Sequence, residues 1–210
     1  MIVISSLPAA LRRKQALAYG GFMKKCFVIS LVSSTLVASA FAADSYTIDP
    51  ESSTANFYIE RLGFSSQSGS FKKTRGKVTL DVPAKKGSVD FTIDTASIDM
   101  GSPAWTSHLS DEGLFNVRQY PTMHFKSDKL VFDGNKVVAA EGQFTMLGVT
   151  KPLRVTVNNF QCGVSSIDKR QVCSGNISAN LKRSDFGLTK YIPAVSDEVS
   201  IGVPVDAYKN

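Results

Sequence analysis

From Asn56 to Asp206 apolar and polar side chains alternate with a period of two, segment after segment. Val89, Phe91 and Ile93 alternate with Asp90, Thr92 and Asp94; Val199, Ile201, Val203 and Val205 alternate with Ser200, Gly202, Pro204 and Asp206. Antiparallel strands with one dry and one wet face read this way. A chain built of them must hide the dry faces, by stacking two sheets or by closing one sheet on itself.

The pattern predicts strands over 53–61, with Ala55, Phe57 and Ile59 inward, and from about 69 to 82, with Phe71, Val78, Leu80 and Val82 inward. Others follow over 88–95, over 122–127 with Met123 and Phe125, over a short 130–132, and over 137–146 with Val138, Phe144 and Met146. Three more run over 152–160 with Leu153, Val155 and Val157, over 173–183 with Ile177, Ala179 and Leu181, and over 198–208. Turns are marked by Asp133-Gly134-Asn135, by Ala84 to Gly87 and by Leu147 to Thr150. About eight long strands joined by short links predict an all-β fold, an eight-stranded antiparallel barrel.

One segment, 97–120, departs from alternation. Trp105, His108, Leu109 and Glu112 have helical spacing, Ser102-Pro103 supplies a start and Gly113 a stop. A short apolar helix between strands caps a barrel end, so the mouth is expected here. Strands of roughly ten residues at about 40° of tilt give a barrel about 25 Å tall, with room for side chains or for one slender ligand. Composition leaves a packed core and a lined cavity equally open.

Residues 1–42 stand apart. Met23-Lys24-Lys25 precedes an apolar run from Cys26 to Val37 and a small-residue end, Ala38-Ser39-Ala40-Phe41-Ala42. This is the order of a cleaved secretory signal peptide, with cleavage expected after Ala42; translation starting at Met23 would make 1–22 an extra extension. The leader alters the charge argument. Of 24 basic residues Arg12, Arg13, Lys14, Lys24 and Lys25 fall within it, and all 18 acidic ones lie beyond it. The remaining domain, 43–210, is thus near +1 in net charge, which gives no support for nucleic-acid binding. Export also makes a disulfide between Cys162 and Cys173 the default, tying the neck of a hairpin and contributing about 3 kcal/mol.

Chemistry-bearing constellations are sparse. The histidines number two, His108 and His124, and the second should face out beside Met123 and Phe125. A metal site needs three or four converging ligands, and neither a nucleophile elbow nor a glycine-rich phosphate loop can be picked out. No catalytic residue, metal or catalytic cofactor is assigned.

Several blocks carry a more specific signal: Tyr46-x-Ile48-Asp49-Pro50-x-Ser52-Ser53, Gly69-x-Phe71 with Gly76, Phe91-x-Ile93-Asp94-Thr95-Ala96-Ser97-Ile98, and Trp105-x-x-His108-Leu109. Phe115-Asn116-Val117 with Tyr120-Pro121, Phe125-Lys126-Ser127, Gly148 to Pro152 and Arg183-Ser184-Asp185-Phe186-Gly187-Leu188 complete the set. In this order, from about 45 to 208, they closely resemble the YceI family. The resemblance implies a lipocalin-like barrel, exported to the periplasm, that holds a long isoprenoid or similar acyl chain, and it implies a homodimer. It argues against a packed core.

The expected lining is then Phe57, Ile59, Phe71, Val78, Leu80, Phe91, Ile93, Ile98, Trp105, Leu109, Leu114, Phe115, Phe125, Phe144, Met146, Val155, Ile177 and Leu181. Head-group candidates are Arg183, His108, Tyr191 and Asp185. Arg183 and Asp185 also read as an ion pair fixing a turn, and His108 as a helix residue bonded to a nearby loop; both readings stand. The leading expectation is a non-catalytic carrier of a respiratory quinone such as ubiquinone, or of a polyprenyl phosphate, touching a membrane transiently. A competing expectation is an accessory of a membrane redox or transport complex in which lipid is incidental.

Overall fold

The computed structural model describes residues 43–210, so the expected leader over 1–42 lies outside the described residues. Eleven strands form one sheet: β1 (Asp44–Ile48), β2 (Ala55–Arg61), β3 (Ser65–Phe71), β4 (Thr74–Asp81), β5 (Lys86–Asp94), β6 (Ile98–Asp99), β7 (Thr122–Asp133), β8 (Lys136–Met146), β9 (Val149–Val164), β10 (Gln171–Lys182) and β11 (Val195–Lys209). The helix α1 spans Pro103–Ser110. Every pairing is antiparallel, and β1 meets β11, so the sheet closes into an eight-stranded barrel in the order β1-β4-β5-β7-β8-β9-β10-β11. Closure gives each of these eight strands two neighbours, while β6, paired with β3 alone, remains an edge.

Three staves are each built from two strands. β11 pairs with β1 through Ala207 to Lys209 and with β2 through Val195 to Gly202. Accordingly β2 continues β1, β3 runs into β4, and β5 into β6. The breaks lie side by side as a seam. Lys72 and Lys73 stay exposed, whereas Ser53, Thr74 and Thr95 turn in and are buried. Across the seam the Thr74 hydroxyl donates to the Ser53 carbonyl at 2.5 Å, and Asp94 Oδ1 accepts from the Ala96 amide at 3.0 Å.

The expected strand over 53–61 is β2, whereas the expected 69–82 strand is divided at the seam and begins earlier, at Ser65. The polar run Ser65-Ser66-Gln67-Ser68 hides that stretch, since an inward glutamine does not read as an apolar position. β1 escaped the reading because it has only two inward residues, Tyr46 and Ile48. The two expected pieces 122–127 and 130–132 are one strand, β7, kinked by a bulge between Lys126 and Lys129. There the Ser127 hydroxyl donates to the Glu141 carbonyl at 2.7 Å and accepts from the Lys129 amide at 3.1 Å. A second irregularity beside Phe132 changes the parity of β8, so Val137 and Ala140 line the lumen where Val138 was expected. The Cys162–Cys173 disulfide is formed, joining register partners on β9 and β10.

Candidate functional site

The lumen is neither filled nor uniform. An upper cavity of about 460 Å³ lies toward α1 and a lower one of about 150 Å³ toward the β9–β10 turn. Ile93, Phe144 and Ile201 line both and form a waist. It sits at the seam, where Ile93 is the register partner of Thr74 and Ile201 that of Phe57. Alternation explains the surface: each strand contributes every second side chain, so the wall is apolar wherever the pattern is.

Around the upper cavity stand Phe57, Ile59, Phe71, Trp105, Leu109, Leu114, Phe115, Met146 and Leu181. Phe115 meets Phe71 edge-on with centroids 5.4 Å apart, and Phe71 leans on Phe57 at 5.6 Å. Space for this cluster is kept by Gly69, where a Cβ would fall 2.4 Å from the Phe57 ring and from Met100 Sδ. Val78, Leu80, Phe91, Phe125, Val155 and Ile177 line the lower cavity. Of the expected lining, Ile98 alone touches neither cavity; it is buried as the register partner of Phe71. Sequence reading missed Tyr46, Ile48 and Phe160 below and Gln67, Met100 and Leu188 above. Tyr46 and Ile48 make a single alternation, too short a run to mark a strand, and Met100 and Leu188 sit in irregular chain that carries no period.

Polar groups gather at one end. Ser102 stands at the N-cap position of α1, without a side-chain cap bond, and Pro103 opens the helix as the spacing predicted, but it ends at Ser110, before the expected stop at Gly113; it lies across the mouth with Trp105 nearly half exposed. The Trp105 and His108 rings meet edge-on, 6.3 Å between centroids, and His108 Nε2 is 3.0 Å from the Tyr191 hydroxyl. The structure thus brings Trp105, His108 and Tyr191 together at the rim, with Arg61, Gln67 and Lys190 beside them. His124 faces out, 2.7 Å from Asp90 Oδ1.

Arg183 is placed differently from expectation. β10 ends at Lys182, and Arg183 opens a 3₁₀ turn, Arg183–Phe186, with its guanidinium buried. Nε donates to the Ser196 carbonyl at 2.7 Å, Nη1 to Leu188 and Lys190 carbonyls at 2.8 Å each, and Nη2 to Val195 at 2.9 Å. Those carbonyls belong to the chain carrying Tyr191, so Arg183 clamps the rim loop from behind. Burial lowers the guanidinium pKa from its ordinary value, opposed by Asp197. Asp185 is exposed and lines neither cavity; the turn is held instead by Asp197, which accepts from the Ser184 amide at 2.8 Å and hydroxyl at 2.7 Å. These bonds hold the Asp197 carboxyl below its usual range. An Arg183–Asp185 pair is therefore absent, because the arginine's fork is satisfied by carbonyls. Among the described residues no three His, Cys, Asp or Glu side chains converge as a metal site would require.

A closed antiparallel barrel with an apolar, partly empty lumen and a helix across its mouth defines a lipocalin-like class of protein. The chain belongs to the YceI family, whose YceI-like domain matches residues 46–207. It is 31% identical over 172 residues to Protein YceI of Escherichia coli O157:H7, covering 80% of this chain and 88% of that one. Among solved structures it resembles BcnA of Burkholderia cenocepacia, with a TM-score of 0.61, 28% identity, and coverage of 76% of this chain and 98% of that chain. A polyisoprenoid binding domain from Saccharophagus degradans implicated in plant cell wall breakdown shares the fold, with a TM-score of 0.58, 14% identity, and coverage of 79% of this chain and 98% of that chain.

Proposed function

We propose that this protein carries an isoprenoid lipid, tail in the lumen and head at the rim formed by Trp105, His108 and Tyr191, and that it catalyses no reaction. The observation that carries this reading is the division of the lumen: apolar along both cavities, polar at one end. A cavity of about 150 Å³ is the size that takes a benzene ring. The two cavities together therefore suit roughly 25 carbons, or about five isoprene units, by that yardstick. A longer tail extends past the mouth or widens the waist. The alternative home of such a tail is a membrane, equally apolar, so selectivity rests on tail shape and on the rim.

The preferred head is a neutral quinone of the ubiquinone kind. The hydrogen-bonding His108–Tyr191 pair suits a ring oxygen, and Arg183 is already committed to backbone carbonyls. Arg61 and Lys190 at the rim favour a second reading, a polyprenyl phosphate. The fold shared with a polyisoprenoid binding domain supports either. The signal-peptide pattern supports export to the periplasm.

Native mass spectrometry of protein purified from its own cell envelope tests the reading, followed by uptake of offered ubiquinone and of polyprenyl phosphate. A lipid adduct or uptake of one of them is expected, and the preferred molecule separates the two heads. An empty barrel that takes up neither overturns the proposal.

A further inference from the structure

The mouth is greasy on its outside as well. Phe64 is 84% exposed, Leu62 53%, Tyr191 47%, Trp105 45% and Ile192 39%. They come from three separate segments: the β2–β3 turn, α1 and the loop before β11. The Leu62 amide donates to the Ala194 carbonyl at 2.7 Å, fastening the first of these to the last. Among the described residues the other large apolar side chains left exposed, Tyr58, Val164 and Ile167, lie on the outer face of β2 and toward the barrel's opposite end. A concentrated patch of this kind marks an interaction surface.

Two cations stand against its aromatic rings, whereas the exposed carboxylates nearest in sequence, Glu60, Asp111 and Glu112, line neither cavity. The Arg61 guanidinium lies 5.7 Å from the Trp105 ring centre and the Lys190 ammonium 5.2 Å from that of Tyr191; no carboxylate lines the upper cavity. Pressing two copies mouth to mouth about a two-fold axis would set these cations against their own equivalents. An anionic surface would meet them favourably. Tryptophan and tyrosine with an apolar body and a polar tip are the side chains that settle at a membrane–water boundary.

We propose that this lip docks on an anionic phospholipid bilayer, with Phe64 and Leu62 among the head groups and the upper cavity opening onto the membrane. The idea rests on the lipid-carrier reading above and adds the route of loading. A tail passing through water exposes apolar surface at about 0.8 kcal/mol per CH₂; a tail passing from bilayer to docked mouth does not. Since 43–210 is nearly neutral, attachment depends on these local groups and is weak and reversible. A homodimer would then use another face.

Trp105, the single tryptophan of the chain, is a built-in reporter. The leaderless protein is mixed with vesicles of phosphatidylglycerol and phosphatidylethanolamine, and with vesicles of phosphatidylcholine alone. Expected are co-flotation and a blue shift of Trp105 emission with the anionic vesicles, both diminished by high salt. Phe64→Asp changes a side chain that lines neither cavity. It should weaken vesicle binding at least about tenfold and slow ubiquinone uptake from vesicles, leaving uptake from detergent and the far-ultraviolet circular dichroism unchanged. Absence of co-flotation and shift overturns docking, as does a Phe64→Asp protein that binds vesicles normally. A dimer that Phe64→Asp dissociates also overturns it, by assigning the lip to a second copy. Failure of uptake from detergent by the unaltered protein sinks the carrier reading instead, independently of the vesicle result.

Discussion

Arg183 and Asp197 hold the mouth in shape from two sides. The arginine's planar fork reaches four carbonyl oxygens that no other side chain serves, and lysine, with a compact ammonium, cannot match that geometry. Arg183→Lys is expected to lower unfolding free energy by about 3 kcal/mol, because buried carbonyls lose their donors. Urea denaturation measures this. If the guanidinium also held a lipid head, ligand affinity in detergent would fall beyond what lost stability explains; the four carbonyl bonds predict that it does not. Asp197 works through the two hydrogen bonds its carboxylate accepts from Ser184. Its folded-state pKa lies below the ordinary value, so its contribution is present above the ordinary carboxylate range and is lost as pH falls through the lowered value. Asp197→Ala should therefore be clearly less stable than the unaltered protein at pH 6, and the two should converge below about pH 4. Denaturation midpoints across that range check it.

Among the elements, the β9–β10 hairpin is the longest pair of staves, and the disulfide crosses it near its turn, remote from the mouth. Replacing both cysteines by serine should cost about 3 kcal/mol, read from urea denaturation, without altering lipid uptake. This hairpin was legible from the alternation of Leu153 to Val157 and of Ile177 to Leu181, as was β5 from Val89 to Ile93. What escaped was of another kind. The seam consists of breaks only a few residues long, at 49–54, 72–73 and 95–97, too short to disturb a period-two count. Bulges shift parity by one position, which is why Val137 replaced Val138. The rim escaped most: Arg183 continues the arithmetic of Ile177, Ala179 and Leu181, yet the strand stops one residue before it. Irregular chain carries no period, so the partners of Arg183 and His108 depend on tertiary structure alone.

For the molecule as a whole, the waist sets capacity. Ile201→Phe enlarges one of the three side chains that line both cavities and should seal the lower one. Native mass spectrometry with competing tails is then expected to find that a tail of about 15 carbons still binds, while the preference for longer tails is lost. Closure has a consequence in time. The ring is completed by β1, at the start of the described chain, against Ala207 to Lys209 near its end; Asn210 adds an amide bond to the Ser45 carbonyl at 2.9 Å, and Lys209 reaches Asp44 at 2.7 Å. Among the described residues these contacts have nearly the largest sequence separation, and pairings of high sequence separation form late. Before β11 reaches β1 the chain is thus a sheet with two raw edges. The barrel can shut only when β11 is free to reach β1, so until that pairing forms both strands remain open to any other extended segment, and closure is the step at which the fold becomes safe from misassociation.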